Sequence, residues 1–322
     1  MSRLAKLALA AALALLPLAG RAETLTEVRV AYSAIEPETL IVKSKGWLEG
    51  DLAARGFKVK WIESLGSNKT IEFLRGNSLD IGSTSLASAF LARANGTPLK
   101  YVFWTGRVPT GSPILVRNDS PYKNFIDLKG KKIAATPGTG PYISLIAALK
   151  ANGLTQKDVQ IVALQHPQGR QALATGAVDG WAGLDPDWAI AELQNNAHVL
   201  WADPKLAGGG GIDVRDDFLA AHRDVVLVVL NAFDRARQFA KDHPEDAIQL
   251  FADAAHLEEP VAKIVYARAG EDRPALEPRD STDLANWGNL YKDLGAIPAE
   301  TDVNAVVKSV LDFTVFPAKP AS

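Results

Sequence analysis

The chain has 322 residues, a length that suggests about two domains. Hydrophobic residues make up 47% and charged residues 22% of it, which is typical of a globular protein and excludes a disordered or fibrous chain. The formal net charge is -2, and no basic stretch suggests binding to nucleic acid. Because the chain contains no cysteine, disulfides, thiolate nucleophiles and cysteine-based metal sites are excluded.

The first residues, 1–22, have the pattern of a secretory signal peptide. Arg3 and Lys6 are followed by an uninterrupted apolar run from Leu7 to Leu16, and Gly20-Arg21-Ala22 is an acceptable cleavage site. The apolar run is shorter than the roughly 20 residues that a membrane-spanning helix needs. We therefore expect an exported protein, with an uncleaved N-terminal anchor as the alternative.

Predicted strands and helices alternate along the next part of the chain. Period-two apolar patterns and helix-ending glycines predict strands at 28–32, 57–62, 79–81 and 99–104, and helices at 36–46, 67–75 and 83–95. A second series has strands at 114–116, 132–135, 159–164, 178–182 and 199–201, and helices at 142–151, 168–174 and 186–194. The remainder is mainly helical, with helices at 224–241, 244–254, 259–268, 281–294 and 303–310.

This alternation predicts an α/β protein of two lobes, each a mostly parallel sheet flanked by helices. Lobe 1 is expected to comprise residues 23–110 and 212–322, with the C-terminal helices packed on it, and lobe 2 residues 111–211. The crossings between the lobes, near 108–114 and 203–213, contain glycine and proline, as hinge segments often do.

Three strand-to-helix turns are rich in serine, threonine, asparagine and glycine. In an open parallel sheet such turns gather at the carboxyl ends of the strands, where ligands bind. Free N–H groups and the helix dipole favour an anion there. The residues of this predicted site are Ser67 and Asn68, Thr84 and Ser85, Thr139 and Gly140, and Ser33 after the first strand. For the third turn alone, a plain N-capped helix is the alternative.

Residues 178–188 form a second informative segment. Asp185 precedes Pro186 at a predicted helix start, where it either caps the helix or contacts a polar or cationic part of a ligand. Trp188 is interpreted as a core residue, with a place in the cleft wall as the alternative.

The sequence contains no recognisable catalytic or metal-binding pattern. GxSxG, HExxH and GxxxxGK[ST] motifs are absent, and no two of the five histidines have the i,i+4 spacing that suits a metal. We therefore predict no catalytic residue, no metal and no cofactor, and we expect a binding protein rather than an enzyme.

Three blocks of sequence resemble a known family. The blocks are 79–85 (LDIGSTS), 127–134 (DLKGKKIA) with Gly138-Thr139-Gly140, and 176–182 (GAVDGWA) with Asp185-Pro186. Their order and spacing are similar to those of the periplasmic substrate-binding proteins of ABC importers for aliphatic sulfonates, taurine and nitrate. The resemblance covers most of residues 26–270. It implies a two-lobe, type II periplasmic binding protein that closes on its ligand and docks on an inner-membrane permease.

The resemblance also implies ligand residues. In the sulfonate branch, hydroxyls and backbone amides at helix N-termini hold the sulfonate, and the matching positions here are Ser67, Asn68, Thr84, Ser85, Thr139 and Gly140. Leu184 replaces a tryptophan of the sulfonate binders, Ser33 replaces a glutamine, and Tyr142 stands where a histidine can occur. These departures concern the organic part of the ligand, for which Ser33, Tyr142 and Asp185 are further candidate residues.

The sequence therefore predicts the periplasmic, monomeric binding component of an ABC transporter serving sulfur metabolism. Its ligand is expected to be a small organic anion, an aliphatic sulfonate or taurine, captured between the lobes. The alternatives are an enzyme on the same two-lobe fold, a binding protein for nitrate or a pyrimidine, and a sensor module that docks on a receptor.

Overall fold

The computed structural model describes residues 26–107, 109–206, 208–270 and 273–317. The predicted signal peptide, residues 1–22, lies outside this part of the chain, as do residues 108 and 207 of the predicted crossings. Within the described ranges, no helix has the length and apolar character that crossing a membrane requires.

The elements follow one another in three groups. The first group contains β1 (Glu27–Tyr32), α1 (Pro37–Lys45), α2 (Trp47–Ala53), β2 (Lys58–Glu63), α3 (Ser67–Arg75), β3 (Ile81–Ser85), α4 (Leu86–Ala94) and β4 (Leu99–Arg107). The second contains β5 (Ile114–Arg117), β6 (Lys132–Ala135), α5 (Gly140–Ala151), β7 (Gln160–Ala163), α6 (His166–Ala174), β8 (Gly180–Ala182), α7 (Asp187–Gln194) and β9 (Ala197–Trp201). The third contains β10 (Gly209–Arg215), α8 (Asp216–Ala221), α9 (Arg223–Asp242), α10 (Pro244–Ala255), α11 (Glu259–Arg268), α12 (Pro278–Asp293) and α13 (Val303–Val310).

These strands form two five-stranded sheets, one in each lobe. The order is β2-β1-β3-β10-β4 in lobe 1 and β7-β6-β8-β5-β9 in lobe 2. Parallel pairing joins β1 to β2 and β3, and β6 to β7 and β8. One strand in each sheet, β10 or β5, is antiparallel to both of its neighbours. The predicted two-lobe α/β class is confirmed. Each sheet is mixed, because it contains one strand that is antiparallel to its neighbours.

Strand β10 lies where the sequence predicts only a glycine-rich crossing. Its glycines are needed because aromatic rings pack against the strand: a methyl group at Gly209 would lie 2.0 Å from the Trp104 ring, and one at Gly211 would lie 2.1 Å from the Tyr101 ring. The strand lies between β3 and β4 in the lobe 1 sheet.

The end of β3 also differs from the prediction. Residues 83–85 are predicted as the start of a helix, but they continue the strand because they pair with β10, with Ser85 opposite Gly210. Helix α4 begins at Leu86, and the Ser85 side chain accepts a hydrogen bond from the backbone N–H of Ser88. The two polar residues Thr84 and Ser85 thus lie at the carboxyl end of a buried strand.

The C-terminal helices pack on lobe 1, as predicted. On one face of its sheet, Val229 and Phe233 of α9 share a core with Val30 and Ile212. Elsewhere, Tyr291 of α12 stacks on a phenylalanine of α4 with ring centroids 6.0 Å apart. Burial of this apolar surface fixes lobe 1 as a scaffold for the strand ends that carry the site.

Candidate functional site

A cavity of about 220 Å³ is lined by residues of both lobes. Most of the predicted site residues contribute to its walls, namely Ser33, Ser67, Thr84, Ser85, Thr139, Gly140 and Asp185. The structure thus brings together side chains from three turns that are far apart in the sequence.

The first turns of α3, α4 and α5 meet at this cavity. The backbone N–H of Ser85, which precedes α4, donates to the Oγ of Ser67, the first residue of α3, at 3.0 Å. Gly140 of lobe 2 begins α5 and faces Ser85, since a methyl group at Gly140 would lie 3.6 Å from the Ser85 Oγ. No side chain of the described residues caps α3 or α5, so the N–H groups at the very start of each helix are available to a ligand, although Lys69 N–H donates to Gly66 and Pro141 has no N–H. Such groups and their dipoles favour an anion.

The hydroxyl groups of the site differ in what they can still donate. The Thr84 hydroxyl donates to a carboxylate oxygen of Asp213 at 2.5 Å, and the Thr139 hydroxyl donates to a backbone carbonyl oxygen at 2.7 Å. Both protons are therefore used inside the protein. Ser67 and Ser33 instead accept hydrogen bonds from backbone N–H groups, so their own protons can be donated to a ligand.

Two predicted residues lie beside the cavity rather than in its wall. The Asn68 side chain turns towards Gly66 and Gly138, and its buried Oδ1 accepts no hydrogen bond from the described protein atoms. The Tyr142 hydroxyl donates to Gln156 within lobe 2 at 3.1 Å. A residue's place in a helix's first turn therefore does not by itself direct its side chain into the cleft.

Asp185 binds the first turn of α7, which is one of the two roles that the sequence leaves open, and its contact with a ligand stays a prediction. Its Oδ1 accepts the backbone N–H of Ala189 at 3.0 Å and also pairs with Arg268 at 2.9 Å, while the residue lines the cavity. Burial raises the pKa of the Asp185 carboxyl, and the Arg268 charge opposes this rise.

Arg268, at the end of α11, is a cavity residue that the sequence does not reveal. Its guanidinium also pairs with Glu192 and lies 3.6 Å from the ring centroid of Trp188, which is buried in the lobe 2 core as predicted. Because α11 belongs to the C-terminal helices, these contacts join it to lobe 2. An arginine in the last turn of a helix is typical of a solvated surface, so the sequence carries no signal for this role.

The carboxyl group of Glu36 is a second feature that sequence analysis missed. Glu36 lines the cavity, is only 8% exposed and does not cap α1, the helix that follows it. Burial, together with the charge of Glu38, raises the pKa of Glu36 to about 8, although the nearby hydroxyls of Thr105 and Ser83 act to lower it. An acidic residue before a proline at a helix start is typical of an exposed first turn, which explains the omission.

His166, the first residue of α6, contributes a neutral group to the cavity. It is buried, and this burial lowers the pKa of its imidazole to about 4. Its Nδ1 lies 3.4 Å from the Thr136 Oγ1. Among the described residues that line the cavity, Arg268 therefore carries the only positive charge at neutral pH, and it is paired.

The two mixed sheets, joined by two crossings around a shared cavity, define a type II periplasmic binding protein fold. The chain belongs to the NMT1/THI5-like family, which matches residues 39–247. Within it, the chain is related to aliphatic sulfonate-, taurine- and nitrate-binding proteins of ABC importers.

Individual relatives agree with this assignment. A protein of Escherichia coli (strain K12), named as an aliphatic sulfonates-binding protein, is 32% identical over 263 residues, which cover 81% of this chain and 82% of the relative. The alkanesulfonate-binding protein of Xanthomonas axonopodis pv. citri, solved with bound MOPS, has the same fold, with a TM-score of 0.79 and 23% identity over 88% of this chain and 98% of that chain.

Enzymes are also present among the relatives. The 4-amino-5-hydroxymethyl-2-methylpyrimidine phosphate synthase of Aspergillus parasiticus is 23% identical over 285 residues, which cover 82% of this chain and 80% of the enzyme. Membership of the family therefore does not by itself separate binding from catalysis, and that distinction depends on the cavity.

Proposed function

We propose that the protein is the periplasmic binding component of an ABC importer and that it captures a small organic anion, a sulfonate, in the cavity between its lobes. The observation that carries this proposal is the meeting of three helix N-termini at one point, where Ser67 contacts Ser85 and Ser85 faces Gly140. A sulfonate has three oxygens that spread one negative charge, so it can accept several N–H and O–H bonds at once.

Binding from both lobes also supports a transport role. Ser67 and Ser85 belong to lobe 1, whereas Thr139 and Gly140 belong to lobe 2. A ligand held by both groups stabilises the closed arrangement of the lobes, and the closed form is the signal that a permease can recognise. The crossings near 108–114 and 203–213 are the proposed hinges, and the N-terminal residues 1–22 are the proposed export signal.

The proposed role is binding rather than catalysis. The chain has no cysteine, so it lacks a thiol nucleophile. His166 is neutral and has its Nδ1 beside Thr136, and the Asp185 carboxylate is engaged by a helix N–H and by Arg268. The Thr136 hydroxyl donates its proton to the backbone carbonyl oxygen of Leu164 at 2.7 Å and not to His166, so it is not activated as a nucleophile.

Thermal unfolding with a ligand panel tests the proposal. A ligand present at about 100 times its Kd stabilises the folded state by about 2.7 kcal/mol, which raises the melting temperature by several degrees. We expect taurine or short alkanesulfonates to produce this rise and nitrate and pyrimidines to produce none. No rise with any sulfonate would remove the proposed function.

A matched pair of variants then locates the anion. Ser67→Ala removes a hydroxyl donor from the cavity, and we expect sulfonate affinity to fall by about tenfold, since a hydrogen bond to a charged group contributes about 1.5 kcal/mol or more. Ser78→Ala removes an exposed hydroxyl outside the cavity and should leave the affinity unchanged. Equal affinities for both variants would mean that the anion lies elsewhere.

A further inference from the structure

We propose that Glu36 selects a ligand with a cationic group close to its sulfonate, so that the substrate class is a short aminoalkanesulfonate rather than a simple alkanesulfonate. This inference rests on the proposed function, because it assumes that the anionic end of the ligand lies at the three helix N-termini. It concerns the opposite end of the ligand.

The Glu36 carboxyl is held in place to meet a ligand. The residue lines the cavity with only 8% of its surface exposed, and its side chain makes no capping bond to α1. The nearby hydroxyls of Thr105 and Ser83 lower the pKa of this carboxyl, so they favour its ionised form. A carboxylate has about four lone-pair sites, which two hydroxyls do not fill, so an ammonium group can also donate to it.

The strand register places Glu36 close to the proposed anion site. Gly210 of β10 is directly opposite Ser85 of β3. Side-chain positions of such opposing residues are about 5 Å apart. A methyl group at Gly210 would lie 2.7 Å from Glu36 Oε1. The carboxylate is therefore within about 8 Å of the Ser85 Cβ, which suits a ligand with two or three carbons between its sulfonate and its ammonium.

The charges around Glu36 also favour a cation. Glu38 also lines the cavity, and its charge contributes to the raised pKa of Glu36. Among the described residues that line the cavity, Arg268 is the one cation, and it is paired with the carboxylates of Asp185 and Glu192. An ammonium group bound here would supply a counter-charge to an ionised Glu36, which an alkyl group would not.

A cationic ligand also explains how a carboxyl group can be tolerated in an anion site. In the free protein the pKa of Glu36 is about 8, so the group is largely protonated at neutral pH. An ammonium next to it favours the ionised form, and binding below about pH 8 then releases a proton. The affinity for an aminosulfonate should accordingly rise with pH over this range, whereas that for an alkanesulfonate should not.

Three isosteric sulfonates test the inference by isothermal titration calorimetry: taurine, isethionate and propanesulfonate present an ammonium, a hydroxyl and a methyl group at the same position. We expect the wild-type protein to prefer taurine over propanesulfonate by at least about tenfold, as for a charge-assisted hydrogen bond. Its taurine affinity should rise by up to about tenfold per pH unit between about pH 6 and pH 8.

The variant Glu36→Gln should lose both the preference and the pH dependence, while the control Glu63→Gln, which changes an exposed carboxylate outside the cavity, should keep both. If wild-type protein binds propanesulfonate as tightly as taurine, or if Glu36→Gln keeps the preference, the inference is wrong while the proposed function stands. If none of the three sulfonates binds, both fail. The wild-type comparison alone decides the matter should the variant not fold.

Discussion

Gly140 begins α5 and faces Ser85 across the cavity, so a methyl group at this position changes the proposed anion site and little else. In Gly140→Ala the methyl would lie 3.6 Å from the Ser85 Oγ and 3.9 Å from the Ser112 Oγ, which are ordinary van der Waals distances. Gly140 does not have a positive φ, so alanine fits the backbone. We expect the unfolding free energy of the free protein to be unchanged or to rise by about 0.4–1 kcal/mol.

Sulfonate binding should respond in the opposite direction. The methyl occupies space beside the first N–H groups of α5, where an oxygen of the anion is proposed to lie. The loss of a hydrogen bond to a charged group costs about 1.5–3 kcal/mol, which corresponds to a fall in affinity of about 10- to 150-fold. Calorimetric titration with a sulfonate measures this fall, and thermal unfolding of the free variant measures its stability.

Gly50→Ala is the matched control, because a methyl group at this helical position has no atom within 4 Å. It should bind the sulfonate as the wild-type protein does. A folded Gly140→Ala variant with wild-type sulfonate affinity would refute the reasoning, since the anion could not then lie between Ser85 and Gly140.

Three further predictions concern stability. Because burial raises the pKa of Glu36 from 4.5 to about 8, the folded protein keeps a proton that the unfolded chain loses. The unfolding free energy of the free protein should therefore fall as the pH rises from about 4.5 to about 8, by at most about 1.4 kcal/mol per pH unit. In denaturant titrations, Glu36→Gln should show a smaller fall, and the same pH dependence as in the wild-type protein would contradict this. Gly211→Ala would place a methyl group 2.3 Å from a backbone carbonyl oxygen and should destabilise the protein by about 1–3 kcal/mol in the same assay, unlike Gly50→Ala. Thr84→Val removes the hydroxyl that donates to buried Asp213, so it should lower the unfolding free energy by about 1–3 kcal/mol and leave the sulfonate affinity unchanged. A lower affinity with unchanged stability would show that Thr84 contacts the ligand.

The turns of the site could be predicted from the sequence because each one is a local signal. Gly66 and Thr139 lie between a strand and a helix, and Ser85 ends a strand directly before a helix; alternating strands and helices bring such turns to one edge of a sheet. What the local pattern could not give is the direction of each side chain. Tyr142 shares the first turn of α5 with Gly140, yet its hydroxyl contacts Gln156 instead of the cavity.

The features that the sequence did not reveal depend on contacts between distant segments. The sequence predicts a loop at β10 because glycine is unfavourable in strands. Glycine is required there because the aromatic rings of β4 leave no space for a larger residue. The sequence predicts that Arg268 and Glu36 are solvent-exposed residues at helix ends. Both instead line the cavity, next to residues that are far away in the chain, such as Asp185 for Arg268 and Thr105 for Glu36. No window of neighbouring residues contains that information.

A crystal structure with bound taurine or propanesulfonate tests the central claim most directly. We expect the sulfonate oxygens to lie within hydrogen-bonding distance of the Ser67 hydroxyl and of the backbone N–H groups that begin α3 and α5, with the remainder of the ligand directed towards Glu36. A sulfonate bound away from these three helix N-termini, or one held by Arg268 after its separation from Asp185, would contradict the claim.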